Sequence, residues 1–115
     1  MGDTTKQAVT TAAVEQAQEA AAEAQRIVDN NEQDCVTDLC LAQAALAQLI
    51  ADMRVGNPGR TRDRANKTLD RVVADLDAFR ERLAKHDDLV TYAQEEKIRA
   101  RGLATVRKYQ QREGK

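Results

Sequence analysis

The sequence predicts an all-α fold: an antiparallel helical hairpin whose core is completed as a four-helix bundle. Three observations predict it. Apolar residues recur at helical spacing in two long arms, a single strong turn signal separates the arms, and the composition disfavours sheet. Leu, Ile, Val and Phe supply 22 of 115 residues and alanine another 20, while aromatics are 3% and tryptophan is absent. Sandwiches and barrels draw on aromatic and β-branched strands. A chain rich in Ala, Glu, Leu and Arg belongs with long helices and coiled coils. At 12.7 kDa it makes one domain, residues 1–115.

The turn comes first because it fixes everything else. Pro58, the sole proline, lies between two glycines in Val55-Gly56-Asn57-Pro58-Gly59-Arg60. Such a cluster ends helices and reverses the chain. It predicts a turn at 56–59, with arm one over about 4–55 and arm two over about 60–111. Asp3-Thr4-Thr5 offers side-chain oxygens for an N-cap at the start of arm one.

Next to the turn, each arm carries a heptad stripe. Cys35, Leu39, Ala42, Leu46, Leu49 and Met53 alternate spacings of 4 and 3, as do Ala65, Leu69, Val72, Leu76, Phe79 and Leu83. Two such stripes flanking a turn predict antiparallel pairing. Facing residues should then have numbers that add to about 115, setting Leu46 against Leu69, Leu39 against Leu76 and Ala42 against Val72.

Farther from the turn, arm one offers Val9, Val14, Ala17, Ala21, Ala24 and Val28, mostly small residues on one stripe. A partner helix approaches such a surface closely, with little hydrophobic gain per residue. The facing segment supplies Leu89, Val90, Ala93, Ala100 and Ala104, so the stripe either packs internally or receives a helix from another protein. Glu15, Glu19 and Glu23 are expected opposite Lys97, Arg99 and Arg101.

Polar interruptions at Asp29–Asp34 and at Lys85–Asp88 fall at one level of the hairpin. Two outcomes follow. The helices run straight through, and two hairpins pair as a homodimer to fill a four-helix core. Alternatively both arms break there, with Asp34 and Asp88 as new N-caps, and a monomer folds into four shorter helices.

Charge is uneven although the net is −1. Residues 1–53 carry −7, 54–67 carry +4, 68–96 carry −4 and 97–115 carry +6. The basic zones are candidate contacts for nucleic acid or an acidic partner: Arg54, Arg60, Arg62, Arg64 and Lys67 near the turn, then Arg99, Arg101, Arg107, Lys108 and Arg112. Tyr109 stands among the latter, placed to stack on a base.

Catalytic chemistry finds no foothold. His86 is the sole histidine, and the expected register sets Cys35 nearly two turns away from it, which argues against a metal site or a Cys–His nucleophile pair. No Glu-x-x-His pair is present for a di-iron centre, and Gly56-Asn57-Pro58-Gly59 lacks the Gly-Lys-Ser/Thr ending of a phosphate loop. Neither enzyme activity nor a cofactor is expected. No uninterrupted run approaches 18 apolar residues and Met1-Gly2-Asp3 does not open a secretory signal, so neither a membrane span nor a leader is expected. Cys35 and Cys40 then predict free thiols in a reducing, cytoplasmic compartment. The expected function is a small non-catalytic binding or adaptor protein. Regulators, inhibitors, chaperones and mobile-element accessory factors share such architectures, and fold analogy does not choose among them.

Overall fold

The computed structural model describes residues 8–56 and 58–113, with side chains placed for 8–56 and 62–113. Two helices account for nearly all of it: α1, Thr11–Val55, and α2, Pro58–Glu113, with no strand among the described residues. The chain forms a helical hairpin. It divides into two compact units, each built from a stretch of α1 and a stretch of α2. The terminal unit joins residues up to Val28 with those from Asp88 onward, and the turn unit is Asp29–Asp87.

Each helix end has a local cause. Thr10 caps α1: its hydroxyl accepts from the Ala13 N–H at 3.0 Å, and its carbonyl accepts from the Val14 N–H at 3.2 Å. The arm therefore begins at Thr11, later than the expected position 4; the cap expected at Asp3-Thr4-Thr5 lies outside the described residues. At the other end Gly56 adopts φ +80 and its N–H bonds the Asp52 carbonyl at 3.3 Å. This is the left-handed cap that glycine tolerates. α2 then opens on Pro58, whose missing N–H would have no partner in a first turn anyway. The helix boundary falls within the expected turn at 56–59, but α2 begins at Pro58, two residues before the expected start of arm two; Asn57 lies outside the described residues.

Neither helix breaks at its polar interruption. Asp34 and Asp88 are helix-interior residues, so the expectation of new N-caps there is corrected. The segments contain no Gly or Pro, and Asp or Asn in a helix interior costs at most about 0.7 kcal/mol per residue.

In the terminal unit the core is a seam of small residues. Ala17 and Ala21 enclose Ala100, with Leu103 packed alongside. Ala24 and Val28 enclose Ala93, with Leu89 and Val90 alongside. These pairs have numbers adding to 117 or 121, against the 115 expected, so α2 is displaced by about one helical turn.

Among the described residues of the turn unit, those buried are Asp38, Ala42 and Val72. The leucines expected to fill this seam do not. Leu39, Leu46, Leu69 and Leu76 remain 39–45% exposed. Two helices meet along one narrow line, and only the residues on that line are covered. A heptad stripe is wider than the line.

Candidate interaction surfaces

The leucines left outside the seam follow a simple rule. On α1 the covered residues Asp38, Ala45, Leu49 and Asp52 are each followed by an exposed apolar one: Leu39, Leu46, Ile50 and Met53. On α2, Thr68, Val72, Asp75 and Arg82 are followed in the same way by Leu69, Val73, Leu76 and Leu83. One residue is a rotation of about 100° around a helix, always in the same sense seen from that helix's own N-terminus. Because the helices are antiparallel, equal rotations away from the seam reach the same side of the pair. Gln43 after Ala42 and Arg80 after Phe79 interrupt the rows, so the turn unit has one largely apolar face made by both helices. Val36, following half-buried Cys35, extends the same face on α1, and Leu41 is exposed on another side.

Ile50 and Val73 belong to this face and were not in the stripes read from the sequence. The available signal is a second heptad row at 36, 39, 43, 46, 50 and 53, which shares Leu39, Leu46 and Met53 with the first and is interrupted by Gln43. Averaged over 18 residues, one window of α1 has mean hydropathy 1.3 and is only 11% buried. By length and composition alone this window is apolar enough to cross a membrane, although no uninterrupted apolar run reaches that length.

A polar cluster closes the turn unit away from Gly56. Arg82 donates through Nε to Asp38 Oδ2 at 2.9 Å and through Nη1 to Asp34 Oδ2 at 3.0 Å. The Asn31 amide donates to the Arg82 carbonyl at 3.1 Å and lies 3.5 Å from His86 Nδ1. His86 Nε2 is 3.4 Å from Glu32 Oε1, an ion pair only when the imidazole is protonated. One oxygen of Asp75 is buried without a hydrogen-bond partner. The cluster bridges the two helices and borders a surface groove of about 280 Å³ lined by Asn31, Ala78, Glu81, Arg82 and Lys85.

The small-residue stripe is already occupied. Val14, Ala17, Ala21, Ala24 and Val28 are at most 9% exposed because α2 covers them. Val9 precedes the helix, and its N–H donates to Gln110 Oε1 at 2.7 Å. As a seat for a partner helix this surface is corrected to an internal seam, since the Ala residues let α2 itself approach closely.

The basic residues stay on the surface. Arg54, Arg62, Arg64 and Lys67 are exposed, as are Arg99, Arg101, Lys108, Tyr109 and Arg112, while Arg107 is half-buried. The side chain of Arg60 lies outside the described residues. No ion pair joins Glu15, Glu19 or Glu23 to Lys97, Arg99 or Arg101 among the described residues. Glu23 instead pairs with Arg26 on its own helix, and Lys97 donates to Gln25. Only the Glu23 pair is local, since Lys97 reaches Gln25 across the seam.

Both cysteines are free thiols, Cys40 exposed and Cys35 half-buried. Among the described residues no three His, Cys, Asp or Glu side chains gather to hold a metal ion. The concavities are surface grooves, such as one of about 340 Å³ in the terminal unit lined by Ala13, Ala17, Glu96, Arg99 and Leu103. No family model matches the chain, and no curated protein or solved structure matches it either.

Proposed function

We propose that the chain is a small non-catalytic binding protein that works by covering its apolar face with another protein surface. The observation that carries this reading is the shared face of Leu39, Leu46, Ile50, Met53, Leu69 and Val73. Contiguous exposed apolar surface of this kind marks interaction sites. The two unbroken helices support completion of the core from outside, by pairing as a homodimer or by docking on a partner. A regulator, inhibitor or chaperone role in the cytoplasm fits both routes, and the free thiols fit that compartment.

The test is photo-crosslinking in the source cells from a photoreactive residue at position 73, with exposed position 71, about 160° away around α2, as control. Protein adducts confined to position 73 are the expected result. Adducts to lipid alone, or equal labelling at both positions, would overturn the reading.

A second reading is nucleic-acid association. It is favoured by Arg99, Arg101, Lys108 and Arg112, which are exposed and make no ion pair among the described residues. Binding would fall steeply with salt, since each neutralised phosphate releases counterions. Absence of a mobility shift at low salt removes it.

A further inference from the structure

We infer that the occupant of the apolar face is a second copy of this chain, packed antiparallel so that the turn end of each copy lies against the polar cluster of the other. The inference rests on the binding reading above and adds the partner and its direction.

Three features of the turn unit support it. The face is self-complementary in layout: each helix contributes four apolar residues in one-and-two-turn steps, 39–46–50–53 on α1 and 69–73–76–83 on α2. A two-fold axis through the face sets two rows against two rows, which is the cross-section of a four-helix bundle. The eight exposed side chains leave on the order of 700 Å² per copy, close to the roughly 800 Å² per partner of a standard stable interface.

Charge then fixes the direction. Residues 54–67, around the turn, carry net +4. Residues 29–38, at the far end of the same unit, carry net −4, and 80–87 beside them add only +1. A parallel pair would stack the positive ends together and the negative ends together. The antiparallel pair sets positive against negative twice. Arg62 of one copy then approaches the level of Glu32 and Asp87 in the other.

Light scattering on a size-exclusion column should give twice 12.7 kDa. Ile50→Glu combined with Val73→Glu should return the mass to 12.7 kDa while circular dichroism stays helical, because both residues are more than half exposed within one copy. A wild-type mass of 12.7 kDa throughout a dilution series would overturn the inference. Protein adducts from position 73 would still uphold the binding reading in that case, so the two failures are distinguishable. A chain that is monomeric alone but floats with phosphatidylcholine vesicles would overturn the inference in favour of a membrane.

Direction is tested separately, and with the hairpin intact. In an Arg62→Cys, Cys40→Ser chain, a short bismaleimide should join position 62 of one copy to Cys35 of the other. Within one copy these positions are separated by about 30 Å along the helices, beyond the reach of the reagent. Links between the two copies of position 62 would show a parallel pair and overturn the arrangement.

Discussion

Arg82 holds Asp38 across the seam of the turn unit, with Nε donating to Oδ2 at 2.9 Å. The two differ in environment. The Asp38 side chain is 12% exposed and that of Arg82 is 41% exposed, so the carboxylate depends on the guanidinium more than the reverse. The companion pair with Asp34 is open to solvent on both sides and contributes little.

Removing the arginine leaves a buried carboxylate with no cation. Arg82→Ala should cost about 1.5–3 kcal/mol, the range for a hydrogen bond to a charged group. Replacing both partners, Arg82→Met with Asp38→Leu, should recover most of that loss. Urea unfolding of the single and double variants at one fixed protein concentration measures it. Equal losses in the two variants would show that Asp38 does not need its partner.

Asp75 gives the opposite sign. Its buried oxygen has no hydrogen-bond partner, and the buried polar group costs free energy that no contact returns. Asp75→Ala should raise stability by about 1 kcal/mol, with the helix propensity of alanine adding a few tenths. A lower urea midpoint for this variant would reveal a partner for the carboxylate in the assembled protein.

The alanine seam of the terminal unit tolerates little added volume. Ala93 is 2% exposed and sits between Ala24 and Val28. Ala93→Leu forces the helices apart and should cost about 1–3 kcal/mol. Amide exchange should then accelerate over residues 17–28, and unchanged protection there would argue against close approach.

Two glycines should respond in opposite directions to the same change. Gly56→Ala places a Cβ on a residue at φ +80 and should cost about 1–2 kcal/mol. Gly102 lies within α2 with open space around its absent Cβ, so Gly102→Ala should gain about 0.5–1 kcal/mol. Thermal melts of both variants against wild type give the comparison.

The hairpin was legible because its signals are local. Gly56 and Pro58 punctuate the chain, and the heptads on both sides are free of breakers. The fate of Asp29–Asp34 was not legible, since acidic and amide residues serve helix interiors and caps alike. What decides there is the contact of Asn31, Asp34 and Asp38 with Arg82 and of Glu32 with His86, which no one-dimensional pattern displays. The register was misplaced by a turn in the terminal unit because spacing counted from Pro58 ignores how alanines interlock. The candidate face was half legible. Leu39, Leu46, Leu69 and Leu76 were found, but as core residues. Periodicity marks a stripe as apolar and is silent on how much of it one neighbour can cover.

Of the nine buried hydrophobic residues among those described, six are alanines. Little apolar surface therefore leaves water when one copy forms, and the heat-capacity change of unfolding scales with that surface. The free energy of a lone hairpin should vary only gently with temperature, and its melt should be shallow. Association through the apolar face would sharpen the transition and make its midpoint rise with concentration. Calorimetry would thus separate the contribution of the fold from that of its assembly.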